Sequence, residues 1–259
     1  MHSIRKSVLG LVALFLFFLV VMTGCQNNTE STQQRKTLVV FCGATMISPM
    51  MELARVFEQT HNVIVEMSYG GSQDLAKSIE VNQLGDIFIP GFKEFVDVMK
   101  VKGHVVDTEQ VGQNELAIFV AKDNPKGLTG DLAQLVDPTL AVVIGHEDLG
   151  SVGKESKKVL SAQNIYESVV RNTVFMASDS KGLSLAIREG KADLVLNWKA
   201  VARLKGNVDS MEAIPIEGVV PRPLVMASLA HSANPELAKS FLQFSASPEG
   251  RAVFERFGF

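Results

Sequence analysis

The sequence predicts an α/β fold made of two lobes with mostly parallel sheets. Short β-branched and apolar runs alternate with segments whose apolar residues recur at helical spacing, the pattern of sheets flanked by helices. Composition agrees: 46% of residues are apolar and 20% charged, which excludes a disordered or collagen-like chain. The 259 residues are enough for two lobes of roughly 110 residues each.

Residues 38–41 (LVVF) read as a buried strand, and Met50, Leu53, Ala54 and Phe57 fall on one face of a helix over residues 49–57. Strands follow at 63–67 and 86–89, with helices over 75–79 and 93–100. Further strands are expected at 116–121, 140–144, 173–176 and 194–196, and further helices at 154–162 and 181–189. The last helix, 235–244, starts behind Asn234, a candidate cap, with Pro235 in its first turn where the missing N–H costs nothing.

The amino terminus reads as an export signal. Arg5 and Lys6 precede an uncharged run over residues 8–21, shorter than the roughly 20 residues a membrane span needs and matching a signal-peptide core. The run closes with Met22-Thr23-Gly24-Cys25, which resembles the bacterial lipoprotein box. That resemblance implies cleavage of residues 1–24, lipidation of Cys25 and a chain anchored to a membrane on its periplasmic or outer side. Residues 25–36 would form the lipidated cysteine and a polar tether. Loss of Arg5 and Lys6 leaves 23 basic against 28 acidic residues, a balance that argues against nucleic acid as a partner. Cys42 is then the sole cysteine, expected to act as a small buried apolar residue.

Chemistry in open α/β sheets gathers beyond the carboxyl ends of strands, where the next helices begin. Four such junctions here share one composition: Cys42-Gly43-Ala44-Thr45, Ser68-Tyr69-Gly70-Gly71-Ser72, Gly150-Ser151-Val152-Gly153 and Ala177-Ser178-Asp179-Ser180-Lys181-Gly182. Each offers free backbone N–H groups and hydroxyls at the positive end of a helix. A single one is an ordinary cap. Four together point to a concave anion site built from neutral donors.

Residues 37–49 (TLVVFCGATMISP), 65–79 (VEMSYGGSQDLAKSI), 85–89 (GDIFI) and 247–259 (SPEGRAVFERFGF) resemble the periplasmic molybdate-binding proteins, the substrate-binding components of oxyanion ABC transporters. The segments 69–72 (YGGS) and 256–259 (RFGF) are the most specific pieces. The resemblance implies a type II, Venus-flytrap periplasmic-binding fold. It also implies a monomer that works with a transporter permease and closes on molybdate or tungstate without a cofactor, and no enzymatic activity. Lobe 1 is expected over 37–118 plus 222–259, and lobe 2 over 119–221.

Carried over by position, the resemblance implies Thr45 and Ser72 as first-lobe ligands, with Thr45 standing where the family commonly has serine. In the second lobe it implies main-chain donors at Val152, in place of a smaller residue, and at Ser180. The family's tyrosine donor maps near Asn197 or Trp198, which would donate through an amide or an indole N–H. Asp179 stands apart, because its carboxylate would repel a dianion unless it caps its own helix.

Several alternatives remain on the residues alone: a receptor for sulfate or another small anion, or an adhesin or sensory module on the same fold. A secreted hydrolase is disfavoured, since no Gly-x-Ser-x-Gly elbow occurs. Residues 145–154 are no Walker loop, because Asp148 replaces the first glycine and Glu155 follows the lysine. His146-Glu147-Asp148 reads as a solvated loop rather than a metal site.

Overall fold

The computed structural model describes residues 35–259; Arg5, Lys6, the apolar run and Cys25 lie outside the described residues. Two five-stranded sheets organise the chain. The first contains β1 (Lys36–Gly43), β2 (Val63–Gly70), β3 (Ile87–Ile89), β4 (Val105–Asn114) and β10 (Arg222–Leu229), in the order β2-β1-β3-β10-β4. The second contains β5 (Leu116–Ala121), β6 (Val142–Gly145), β7 (Thr173–Ala177), β8 (Leu194–Trp198) and β9 (Met211–Pro215), in the order β7-β6-β8-β5-β9.

Eight α-helices accompany these strands among the described residues. They are α1 (Ile47–His61), α2 (Ser72–Asn82), α3 (Lys93–Val101), α4 (Ser151–Ala162), α5 (Tyr166–Asn172), α6 (Ser180–Arg188), α7 (Pro235–Ala246) and α8 (Pro248–Arg256). Among the described residues, no helix is long and apolar enough to cross a membrane.

Parallel pairing is less dominant than the alternation implies. In the first sheet β1 pairs in parallel with β2 and β3, whereas β10 runs antiparallel to both β3 and β4. The second sheet repeats this division, with β6 parallel to β7 and β8, and β5 antiparallel to β8 and β9. Each sheet is therefore evenly mixed. The antiparallel strands β4 and β9 escape the sequence pattern because each runs on into another strand, β5 and β10, instead of into a helix.

Both faces of β1 are covered, which explains its unbroken apolar run. Leu38, Val40 and Cys42 turn one way onto Met50, Leu53 and Phe57 of α1 and onto Phe241 and Phe254 of α7 and α8. Phe41 turns the other way, towards Leu75, Ile79 and Phe95 of α2 and α3. Cys42 is fully buried and unpaired; desolvation pushes its thiol far above the usual range, so it stays protonated and inert. In the second sheet every residue of β8 is buried, as is nearly all of β5.

Helix ends follow local chemistry. Asn62 ends α1 in the left-handed region at φ 47°, which asparagine tolerates better than most residues. Ser247 caps α8 by accepting from the Gly250 N–H at 3.2 Å. Pro235 opens α7 as expected, but the Asn234 side chain does not cap it. Its amide donates instead to the Thr37 carbonyl at 3.0 Å, tying this helix to the start of β1.

The chain crosses between sheets twice. β5 pairs along its whole length with β8 and β9, so the first crossover is Glu115 and residues 116–118 belong with the second sheet. The return lies between Pro215 and Arg222. A boundary at 118/119 would cut β5 in half, against its continuous ladder. Arg222, just past the return, donates to buried Glu155 of α4 at 2.8 Å and so ties the start of β10 to the second sheet's helices. The carboxylate beside it raises the Arg222 pKa further, keeping the guanidinium charged.

Candidate anion site

Four helix-opening segments, two after strands of each sheet, meet around one small cavity of about 20 Å³. Gly43, Thr45, Gly70, Gly71, Ser72 and Gly91 line it from the first sheet's side, and Gly150, Ser151, Val152, Asp179 and Ser180 from the second. On a scale where one water takes roughly 10–15 Å³, this space suits a ligand of a few atoms and not a sugar or peptide. No lysine or arginine lines it.

The donors are those of helix starts. Gly71 precedes α2 and Gly150 precedes α4, and neither has a side chain with which to cap its helix. The first intrahelical bonds are made by Leu75 to Gly71 and by Lys154 to Gly150, so the N–H groups of the preceding residues remain for a ligand. Their helix dipoles add partial positive charge at the same point.

Side chains refine this frame. The Ser72 hydroxyl accepts from the Gly91 N–H at 3.1 Å, which leaves its own proton for another acceptor. The Gly91 carbonyl is held in turn by Asn114 Nδ2 at 3.1 Å, at the last residue of β4 before the crossover. Thr45 is buried, and its hydroxyl meets only the soft sulfur of Met46 at 2.9 Å, a weak acceptor that an oxyanion would readily replace. Asp179 does cap α6: its Oδ1 accepts from the Gly182 N–H at 2.8 Å. Its charge therefore has a structural partner while lying at the cavity's edge.

Of the six residues singled out by sequence, Thr45, Ser72, Val152 and Ser180 line the cavity together. Val152 contributes backbone there, for its side chain is buried and packs toward Gly145. Asn197 and Trp198 do not line it. Both are fully buried at the end of β8, with their donors already engaged. Asn197 Nδ2 donates to the Ser180 carbonyl at 3.0 Å, and Trp198 Nε1 donates to Ser151 Oγ at 3.1 Å. Both stand behind the first layer of contacts, where an amide or indole has no free N–H to offer a ligand.

The two sides of the cavity touch. A methyl group on Gly91 would lie 2.5 Å from Ser151 Oγ, and one on Gly71 would lie 3.2 Å from the Leu149 carbonyl. Beside the cavity, α3 faces α4: Lys158 pairs with Glu94 at 3.2 Å and Lys154 Nζ lies 4.7 Å from the centre of the Phe95 ring. The Lys158–Glu94 pair is exposed on both sides and adds little stability. A wider cavity of about 410 Å³ lies away from this point, by Gln110, Glu115, Arg251 and Glu255. Its lining sets two carboxylates against the single guanidinium of Arg251 and contains no helix start, so it suits an anion less well.

The model of the bacterial extracellular solute-binding proteins matches residues 38–259. The chain belongs to that family. Among its relatives, YvgL of Bacillus subtilis is 24% identical over 267 residues, 98% of each chain, and is provisionally named an ABC transporter substrate-binding lipoprotein. The molybdate-binding protein ModA of Mycobacterium tuberculosis is 24% identical over 256 residues, 96% of each chain. Among solved structures, the sulfate-binding protein SubI of Mycobacterium tuberculosis superposes with a TM-score of 0.75 at 14% identity, covering 87% of this chain and 86% of that one. The molybdate-binding protein of Azotobacter vinelandii superposes at 0.69 with 18% identity, covering 85% and 97%. At these identities the superpositions establish the two-lobed α/β fold.

The fold of the solute-binding protein brings two further residues to the cavity, Ser151 and Gly91, that carry little signal in the sequence. Ser151 was visible only as part of a small helix-opening segment. Gly91 follows β3 in a loop without hydroxyls, and nothing in Pro90-Gly91-Phe92 signals that its N–H would hold Ser72.

Proposed function

We propose that this solute-binding protein is the extracytoplasmic receptor of an ABC importer for a tetrahedral oxyanion, molybdate or tungstate before sulfate. The observation that carries the reading is the cavity itself: helix starts and hydroxyls from both sheets face one small space that no fixed cation lines. A dianion entering it gives up hydration, and each oxygen must regain donors of similar number and geometry. Helix-start amides and serine hydroxyls supply them preorganised, without a permanent buried charge. The names of relatives such as ModA and SubI lend support to the oxyanion class.

The two lobes divide in this reading at Glu115 and at the return between Pro215 and Arg222. Ligand oxygens contacted from both sides stabilise the closed form only when both lobes are in place, and that form is what a permease would recognise. Anchoring through lipidated Cys25 would keep the receptor near its transporter, and the protein works as a monomer with no enzymatic step. Radiolabelled fatty acid should enter the native chain and not a Cys25→Ala variant.

Calorimetric titration with molybdate, tungstate and sulfate tests the ligand class. Ser72→Ala should weaken binding by about 1.5–3 kcal/mol, the contribution of a hydrogen bond to a charged acceptor. Unchanged affinity in that variant would remove Ser72 from the site.

A further inference from the structure

We infer that Ser151 is a hydroxyl ligand of the anion from the second lobe, and that Trp198 is the positioning residue that aims it. The inference rests on the oxyanion reading and deepens it. Trp198 Nε1 can only donate, so in its 3.1 Å contact with Ser151 the serine oxygen is the acceptor. Among the described residues no protein acceptor takes the Ser151 proton, and Ser151 lines the cavity. Its O–H is thus held as an outward donor.

Ser72 repeats the same logic on the facing side, where the Gly91 N–H occupies a lone pair of the hydroxyl and leaves the proton free. The two serines, one from each lobe, flank Gly91. A methyl at that residue would lie 2.5 Å from Ser151 Oγ and 3.4 Å from Trp198 Nε1. Only glycine admits the Ser151 hydroxyl so close to the first lobe. The indole also fixes how far Ser151 can turn. Trp198 is fully buried at the end of β8, and its backbone N–H donates to the Asn197 side-chain oxygen at 2.9 Å. The ring thus has little freedom to follow a wandering hydroxyl.

Trp198 is the only tryptophan in the chain, which makes the arrangement directly observable. In the full chain, Ser151→Ala should move ligand-free tryptophan emission to shorter wavelength, because the indole loses its acceptor. The same variant should bind molybdate at least tenfold more weakly than the native protein, with Ser72→Ala as the reference for a lost hydroxyl. Trp198→Phe should weaken binding in the native background and have no further effect in the Ser151→Ala background, since it acts through that serine. If Trp198→Phe fails to fold, Ser151→Thr replaces it in the cycle: it keeps the hydroxyl, and should retain more affinity than Ser151→Ala. Ser151→Ala binding as tightly as the native protein, while Ser72→Ala loses affinity, would overturn this inference and leave the oxyanion reading standing. A native protein that binds none of molybdate, tungstate or sulfate would overturn the oxyanion reading, and this inference with it.

Discussion

Ser180→Asp is expected to abolish anion binding while leaving the fold in place. Ser180 is the first residue of α6 and lines the cavity, beside Asp179. A carboxylate there would face the ligand at contact distance. Two unit charges at about 4 Å interact by about 4 kcal/mol near a protein surface, and a dianion doubles the repulsion. Set against hydrogen bonds of about 1.5–3 kcal/mol each, that is enough to cancel several donors. The fold should tolerate the change, because acidic residues are favourable in the first turn of a helix. Calorimetry should find no binding, with circular dichroism and the thermal midpoint near native values. Retained micromolar affinity would place the anion away from the α6 terminus.

Gly153→Ala is expected to damage the fold itself. Gly153 lies in the first turn of α4, where a methyl group would sit 2.1 Å from the His146 carbonyl oxygen and 2.9 Å from the Gly145 carbonyl carbon. Those atoms are backbone at the end of β6, which a rotamer change cannot move aside. The helix would have to lift from the strand, and the cost should reach about 3 kcal/mol, the upper range for overpacked sites. Because Ser151 and Val152 open the same helix, anion affinity should fall along with stability. Urea unfolding measures the first effect; a loss below about 1 kcal/mol, with native affinity, would mean that α4 docks more loosely than its contacts with β6 indicate.

The most legible parts of this protein are those whose chemistry is local. Residues 38–41 declare a doubly covered strand, and Pro235 marks the start of α7, because both depend on neighbours within a few positions. β4 is different. Its sequence VVDTEQVGQN buries only Val105, Val111 and Asn114, so neither an alternating nor a continuous apolar pattern marks it as a strand. Its place in the sheet comes from β10, more than a hundred residues later. That remote pairing is also why the even mixture of parallel and antiparallel strands was hidden.

The candidate site divides along the same line. Thr45, Ser72, Val152 and Ser180 were visible because each sits at a strand-to-helix junction of recognisable composition, and the fold collects such junctions on one side of its sheets. Asn197 and Trp198 occupy the right strand end, but as supports. Composition says which donors exist and not which are already spent. Asn197 bonds to residue 180 and Trp198 to residue 151, partners that only tertiary packing supplies. Asp179 carried a real ambiguity, and its bond to the Gly182 N–H shows how a carboxylate can stand beside this cavity with a role in its own helix.

If the cavity between the two sheets holds a tetrahedral oxyanion, that anion must stabilise the folded protein against heat. The compact unit Lys36–Phe259 would be melted alone and with molybdate, tungstate, sulfate, phosphate and nitrate in turn. A ligand at about 1,000 times its dissociation constant adds about 4 kcal/mol to stability, which raises the midpoint by several degrees. A rise with molybdate and tungstate that disappears in Ser180→Asp is the predicted result. No rise with any of the five anions would contradict the account.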